Sequence, residues 1–243
     1  MTLDEPKAPD SRRSAPGLLL CLDTSTPTAR VAVMDSDGAM RFSSEATADR
    51  HSSHVLALCA KALETVGVGP AELAGIACGG GPGSFTGLRV GLAVAKGLAL
   101  PTGVPLHLVS SLEALALYIV EAIGAEATAV PCLDAGKGEV YVGAYVADSE
   151  RLVRETLSPC RLPVADVTAW SAPLPRSALA GNGFERHRAI LGAHSIAPAA
   201  GPTARSVGRL ALLQRARGES ADLERAVPYY GRPPDITMKR PPG

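Results

Sequence analysis

The stretch GGGPGSFTGLRVG, residues 79–91, departs furthest from ordinary composition in this chain of 243 residues. An apolar run over residues 75–78 precedes it and predicts a short buried strand, and a helix-period segment from Phe85 to Leu100 follows. The glycines therefore lie at a strand-to-helix turn. Such a turn can bind an anion, because backbone N–H groups at a helix start are unpaired and glycine permits close approach. A tight turn with close packing is the alternative, since the stretch matches neither Walker A nor a dinucleotide fingerprint.

The same helix carries small residues at every fourth position, namely Gly83, Gly87, Gly91 and Ala95. They line one ridge of the helix. Because each glycine inside a helix costs about 1 kcal/mol relative to alanine, the repetition predicts that another helix approaches this face closely. That neighbouring helix could belong to another subunit.

Composition limits the classes of function. Lys plus Arg (24) equal Asp plus Glu (24), so the net charge is zero and no general field for binding polyanions is expected. The five cysteines form no C-x-x-C pair and four lie in apolar runs, which predicts buried free thiols in a reducing cytosol. No N-terminal apolar run approaches the roughly 20 residues of a membrane-spanning helix, so we expect a cytoplasmic protein. Residues 1–16 contain three prolines and little apolar surface, which predicts a disordered leader.

The predicted elements follow the order βββαβαβα, and a similar order starts again near residue 127. The predicted strands are 17–23, 30–35, 39–45, 75–78, 105–109, 127–134, 139–147, 152–160 and 177–180. The predicted helices are 53–66, 85–100, 112–123, 165–170, 185–191 and 206–217. Two β-meanders that each lead into α/β units predict an α/β chain with two mixed-sheet domains.

Five stretches resemble the TsaB (YeaZ) family, whose members are paralogues of TsaD in bacterial synthesis of threonylcarbamoyladenosine on tRNA. They are LCLDTS at 20–25, GPGSFTGLRVG at 81–91, LDAGKGEVY at 133–141, AGNG at 180–183 and PYYGRP at 228–233. The resemblance covers about residues 17–235 and implies the actin-like, Hsp70-like ATPase (ASKHA) fold, whose two related domains face a nucleotide cleft. We assign residues 17–110 to the first domain and 111–219 to the second. The remaining tail, 220–243, could pack back on the first domain.

Two turns correspond to the places where ATPases of this fold grip phosphates from opposite domains. The residues at these turns and in the AGNG stretch that could form a degenerate nucleotide site are Asp23, Thr24, Ser25, Asp134, Gly136, Gly181 and Gly183. Ordinary turn chemistry is the alternative, because Asp, Ser and Thr satisfy backbone groups at many strand ends. We expect no catalytically bound cofactor, while ATP or ADP could bind at the cleft or at a partner interface.

The resemblance to TsaD does not extend to its catalytic residues. The TsaD motif V-x-H-x-x-x-H follows the fifth strand and holds a metal, whereas here Ser111 and Leu115 stand at the two histidine positions. His51 and His54 lie three residues apart, but a pair without a third ligand is an incomplete metal shell. Ser84 lies outside any G-x-S-x-G elbow. We therefore predict neither a catalytic metal nor a hydrolytic centre.

The resemblance implies a non-catalytic scaffold that supports TsaD in forming the threonylcarbamoyl group on N6 of the adenosine next to the anticodon. It also implies TsaE and TsaC as pathway partners, contact with tRNA through the complex, and a homodimer when TsaD is absent. An actin-like-fold ATPase or small-molecule kinase is the alternative, and a peptidase acting on TsaD is a third. The expected partner surface lies on helices 53–66 and 85–100, at His54, Leu58, Ala62, Gly83, Phe85, Gly87, Arg89, Gly91 and Ala95.

Overall fold

Two β-sheets and the helices that cover them make up the described part of the chain, residues 17–47, 52–192 and 201–231 of a computed structural model. The strands are β1 (Leu19–Asp23), β2 (Thr28–Met34), β3 (Met40–Thr47), β4 (Gly75–Gly81), β5 (Leu106–Ser110), β6 (Thr128–Gly136), β7 (Glu139–Asp148), β8 (Leu152–Pro163) and β9 (Ser177–Ala180). The helices are α1 (Ser52–Val66), α2 (Phe85–Thr102), α3 (Ser111–Ile123), α4 (Val167–Ser171), α5 (Asn182–Arg186), α6 (Arg188–Leu191) and α7 (Ala204–Ala216). None of these described helices is long and apolar enough to cross a membrane. The expected leader and His51 lie outside the described residues.

The first sheet has the strand order β3-β2-β1-β4-β5. Strands β1 to β3 form an antiparallel meander, and the turn before β3 closes where Gly38 donates its N–H to the Asp35 carbonyl at 3.0 Å. Gly38 has a φ of +87°, which glycine tolerates best, so the Asp-Gly pair indicated this turn correctly. β4 pairs in parallel with both β1 and β5. The ends of β1 and β4 therefore lie side by side.

The second sheet has the order β8-β7-β6-β9, with β6, β7 and β8 antiparallel and β9 parallel to β6. Both sheets thus contain parallel and antiparallel pairs, and the predicted α/β chain with two mixed sheets is confirmed. The turn from β6 to β7 passes through three residues with positive φ, Gly136 (+75°), Lys137 (+55°) and Gly138 (+77°). Asp134 lies just before this turn, as Asp23 lies at the end of β1.

Helices α3 and α7 form a layer between the two sheets. One apolar cluster joins residues of β1 and β2, of α3 and α7, and of β6 and β7. Gly208 lets α7 approach the first sheet closely, because a Cβ there would lie 2.7 Å from the Cys21 sulfur. The outer face of the first sheet is covered by α1 and α2, and that of the second sheet by α4, α5 and α6.

The division into domains at 17–110 and 111–219 remains a prediction. Helix α7 follows the second sheet in the chain but contacts β1, β2, β4 and β5 of the first. The described part of the tail also returns to the first sheet, where the N–H of Ala221 donates to the Leu106 carbonyl at 2.7 Å. The two halves are therefore linked by elements that cross the proposed boundary.

Two helices differ from the sequence-based predictions. Residues 185–191 belong to two short helices, α5 and α6, which are separated at His187, where φ is −115° and ψ is 21°. Helix α2 continues past Leu100 to Thr102 although Pro101 lacks a backbone N–H. The continuation is tolerated because Gly97, whose carbonyl loses that donor, is exposed with open space beside it, so water can satisfy the oxygen.

Candidate functional site

A cleft of about 250 Å³ opens between the two halves of the molecule. The β1–β2 loop and the start of α2 form one wall, and the β6–β7 turn, β7 and the start of α5 form the other. The lining residues are Ser25, Pro27, Gly83, Ser84, Phe85, Asp134, Ala135, Gly136, Tyr141, Asn182 and Tyr230. Of the seven residues predicted for a nucleotide site, Ser25, Asp134 and Gly136 therefore line the cleft.

Asp23 is fully buried at the end of β1 and does not line the cleft. Its Oδ1 accepts hydrogen bonds from the N–H of Ser25 at 3.1 Å and from the Ser25 hydroxyl at 2.8 Å. Its Oδ2 is buried without a hydrogen-bond partner in the described structure, and a Cβ at Gly79 would overlap it. Burial raises the pKa of Asp23 to about 6, against the opposing effects of the Ser25 hydrogen bonds and the Arg30 charge. Asp23 is thus an enclosed carboxyl group held by its own turn.

The glycine row of α2 packs against the β1–β2 loop of the same chain. A Cβ at Gly87 would overlap the carbonyl oxygen of Thr24, and one at Gly91 would overlap the Thr24 hydroxyl. A Cβ at Gly83 would lie 2.8 Å from that of Ser25. The prediction that a second helix approaches this row is therefore wrong, because the glycines make room for a loop backbone.

The start of α2 is satisfied largely from within the chain. Ser84 is the N-cap residue, and its Oγ accepts the N–H of Gly87 at 3.2 Å. The N–H of Ser84 itself donates to the Ser25 carbonyl at 2.7 Å. The N–H groups of Ser84 and Gly87 are therefore already hydrogen-bonded and are not available to an anion. The Ser84 hydroxyl acts as a helix cap. These contacts favour close packing over anion binding as the reason for the glycine-rich turn.

Asp134 is the charged group of the opposite wall. Its Oδ2 accepts a 2.8 Å hydrogen bond from Arg186 Nη1, and its Oδ1 accepts the N–H of Gly136 at 3.3 Å. The Nε2 of His187 lies 3.7 Å from the same Oδ1, and Asn182 Oδ1 accepts the N–H of Asp134 at 3.1 Å. Because the carboxylate already pairs with a guanidinium, holding Mg²⁺ there would require Arg186 to give up this contact.

Gly181 and Gly183 pack α5 against β6 instead of lining the cleft. Gly181 has a φ of +125°, and a Cβ there would overlap the Cys132 carbonyl oxygen. A Cβ at Gly183 would lie 2.8 Å from the backbone carbon of Leu133. Their predicted place in the nucleotide cleft is therefore corrected, and Asn182 between them is the residue of this stretch that reaches the cleft.

The two positions that correspond to the TsaD histidines are fully buried. The Oγ of Ser111 accepts the N–H of Gly81 at 3.2 Å. The Leu115 side chain packs against Gly181, where a Cβ would lie 2.9 Å from Leu115 Cδ2. Within the described ranges, no group of three His, Cys, Asp or Glu residues is arranged to hold a metal ion. A hydroxyl bonded to the backbone and an apolar side chain occupy the places of the two imidazoles.

A cluster of aromatic and cationic side chains closes the cleft beside α2. The guanidinium of Arg89 lies over the Phe85 ring, 4.1 Å from its centroid, and Arg89 Nε donates to the Tyr230 hydroxyl at 3.1 Å. The centroids of the Phe85 and Tyr230 rings are 4.8 Å apart. Sequence reasoning missed Tyr230, Tyr141 and Asn182 as cleft residues, although each lies in a stretch that resembles the TsaB family.

Helices α1 and α2 carry exposed apolar side chains. Leu56 is 49% exposed, Phe85 43% and Leu100 57%. Of these three, only Phe85 was predicted for the partner surface. Exposed apolar side chains of this kind can contribute to a protein-protein contact.

The other predicted partner residues divide by burial. His54 and Arg89 are exposed, and Leu58 is half-buried. Ala62 and Ala95 are fully buried in the apolar cluster between these helices and the first sheet. Their assignment to the partner surface is therefore corrected, as it is for Gly91, the buried glycine of the row.

Comparisons with known proteins agree with one another. The family model TsaD, tRNA N6-adenosine threonylcarbamoyltransferase, matches residues 43–207. The tRNA threonylcarbamoyladenosine biosynthesis protein TsaB of Escherichia coli K12 is 35% identical over 130 residues, which are 54% of this chain and 55% of that protein. YeaZ from Pseudomonas aeruginosa is 30% identical with a TM-score of 0.76, covering 88% of this chain and 99% of that one. The chain belongs to the TsaB (YeaZ) family.

Membership of the TsaB family confirms the resemblance found in the sequence, and the TsaD model match agrees with the paralogue relation. A second Pseudomonas aeruginosa structure, of an uncharacterized protein with similarity to peptidase YEAZ, is 32% identical with a TM-score of 0.77. It covers 89% of this chain and 100% of that one. The fold is the actin-like, Hsp70-like ATPase (ASKHA) fold. The chain spans about half the length of the curated TsaB relatives it matches.

Proposed function

We propose that this chain is a non-catalytic scaffold subunit that supports a TsaD-type protein in modifying tRNA. The reaction is formation of the threonylcarbamoyl group on N6 of the adenosine next to the anticodon, in tRNAs that read codons beginning with A. TsaE and TsaC act in the same proposed pathway, and tRNA is reached through the complex. The proposal includes a cytoplasmic location and a homodimer when TsaD is absent. TsaB names among the relatives support the pathway.

The observation that carries the non-catalytic role is the packing around Ser111 and Leu115. Ser111 is bonded to the backbone of β4, and Leu115 packs against Gly181. A Lewis-acid metal needs several ligands that converge on an open coordination position. A buried leucine cannot supply a ligand, so this chain would depend on another subunit for the chemistry.

The outward face of α1 and α2 is the surface that we propose for the TsaD-type partner. Leu56, Phe85 and Leu100 are exposed on these two helices, and Arg89 lies beside Phe85 at the edge of the cleft, where both also contact Tyr230. Partner interfaces combine a buried apolar centre with aromatic and arginine anchors. The two helices thus supply apolar, aromatic and arginine side chains for such an interface.

The contacts weaken the enzyme alternatives. An ATPase or kinase would need acidic groups free to hold Mg²⁺, but Asp23 is enclosed and Asp134 pairs with Arg186. A peptidase would need an activated nucleophile, whereas Ser84 caps α2. Neither alternative gains support from an observed side-chain arrangement.

A reconstitution with single omissions tests the proposal. The full chain is combined with the TsaD, TsaE and TsaC proteins of the same organism, and the modified adenosine in tRNA is measured by mass spectrometry. We expect modification to be lost when this chain is omitted, and we expect no product from this chain with TsaC alone. Full modification in its absence would contradict the scaffold role. Product formed without TsaD would favour an enzyme.

A further inference from the structure

The last described residues, 229–231, cross from one wall of the cleft to the other. In the first half of the molecule, behind the first wall, the N–H of Tyr229 donates to the Gly80 carbonyl of β4 at 2.8 Å. The neighbouring Gly81 has a φ of +104°, and a Cβ there would overlap the Tyr229 carbonyl oxygen. The segment is therefore held against β4 by a hydrogen bond and by a close backbone contact at Gly81, where there is no room for a side chain.

Tyr230 bridges the two walls. Its ring stacks on Phe85 and its hydroxyl accepts from Arg89, both on α2. Its carbonyl oxygen accepts a 2.8 Å hydrogen bond from the Tyr141 hydroxyl on β7. One residue is thus joined by its side chain to the first half of the molecule and by its backbone to the second.

Gly231 fixes the segment at the second wall. It has a φ of +64°, and a Cβ there would lie 2.5 Å from Cε1 of Tyr141. The Tyr141 ring is buried in the core between the sheets, so it is a firm support. A side chain at position 231 would therefore move the segment away from β7.

We infer that residues 229–231 act as a strap that holds the two walls of the cleft at one separation. To widen the cleft, the chain must break the Tyr141–Tyr230 bond or pull Tyr229 away from β4. The inference goes beyond the proposed scaffold function, because it concerns the mechanics of the isolated chain. It also gives the contact between Arg89 and Tyr230 a role, since a ligand that engages Arg89 would loosen one end of the strap.

Amide hydrogen exchange of the full chain tests the strap, with Gly231→Ala compared against Gly218→Ala. Both glycines have positive φ, so alanine introduces backbone strain at either position. No atom lies within 4 Å of a Cβ at Gly218, so this control lacks the steric clash with Tyr141. We expect Gly231→Ala to speed exchange in the strap, at the start of α2 and in the β6–β7 turn. The Gly218→Ala variant should leave all three unchanged. Faster exchange in the strap with unchanged exchange in both walls would overturn the inference.

A milder pair of variants keeps the test valid if Gly231→Ala does not fold. Tyr230→Phe removes the bond to Arg89 and keeps the ring, whereas Tyr229→Phe changes a side chain that points to solvent. Loss of one hydrogen bond corresponds to exchange roughly twofold to tenfold faster. We expect this change for Tyr230→Phe at the strap and the start of α2, and none for Tyr229→Phe. Equal exchange in the two variants would contradict the strap.

Discussion

The Thr24 hydroxyl donates a 2.8 Å hydrogen bond to the Gly87 carbonyl oxygen, and this bond ties the β1–β2 loop to the first turn of α2. Gly87 has no room for a Cβ because the Thr24 carbonyl oxygen occupies that position. The loop and the helix are therefore fixed to each other. Packing within this chain accounts for the glycine at position 87.

Gly87→Ala should destabilise the chain because the added methyl group must displace the β1–β2 loop. Overpacking of this kind typically costs about 1 to 3 kcal/mol. Gly97→Ala is the matched control on the same helix, since Gly97 is exposed with open space beside it. It should stabilise the chain by up to about 1 kcal/mol. Denaturant unfolding measures both changes, and a neutral Gly87→Ala would show that the loop yields freely.

The stability of the Asp23→Asn variant relative to wild type should increase as the pH rises. The folded pKa of Asp23, about 6, lies above its ordinary value of about 3.9, so the folded state binds the proton more tightly. Wild-type stability from this group is therefore fully present below about pH 4, declines as the pH rises to about 6, and is constant above that. The variant does not lose stability in this way, because asparagine does not ionise. Its stability relative to wild type should shift by about 2 kcal/mol in its favour between pH 4 and pH 7.5.

Unfolding curves of both proteins at the two pH values measure that shift. The variant is compared with wild type at each pH, and the two differences are then compared. Any effect of the amide group that does not depend on pH cancels in this second comparison. A difference that does not vary with pH would show that the Asp23 carboxyl is compensated by a charge in the folded protein.

The isolated chain should hydrolyse ATP weakly or not at all, and Asp23→Asn should not alter the rate. The Asp23 carboxylate is fully buried against Gly79, and Asp134 is paired with Arg186, so neither carboxylate is open to Mg²⁺. Phosphate release from ATP and Mg²⁺ is the measurement. Robust turnover that disappears in Asp23→Asn would favour the ATPase or kinase alternative.

Leu56→Glu should weaken association with the TsaD-type partner by roughly tenfold or more, because it places a charge within the proposed apolar contact. Leu157→Glu is the control, since Leu157 is also exposed, at 37%, but lies on β8 of the other sheet. Binding is measured by titration with the purified partner, and thermal unfolding checks that both variants fold. Equal binding by the two variants would remove the α1 and α2 face from the interface.

Local patterns predicted much of the fold. The Asp37-Gly38 pair located the β2–β3 hairpin, and helical spacing located α1, α2 and α3 within a few residues. The position of α7 could not be predicted in this way, because it packs on β1 through Gly208 and Cys21, which are far apart in the sequence. Periodicity identifies the apolar face of a helix but not the sheet that this face covers.

The candidate site was predicted less completely. Spacing revealed the glycine ridge, but it could not distinguish a facing helix from the backbone of Thr24 and Ser25. The enclosure of Asp23 depends on the pairing of β1 with β4, which brings Gly79 next to the carboxyl group. Tyr230 reaches the cleft only because the tail returns across the molecule.

The place of α7 between the sheets has a consequence for synthesis on the ribosome. Cys21 and Met34 lie on a face of the first sheet that Gly208 and its helix cover. Translation proceeds from the N-terminus at roughly 5 to 20 residues per second, so this apolar face emerges many seconds before its cover. The N-terminal half therefore cannot finish folding during its own synthesis.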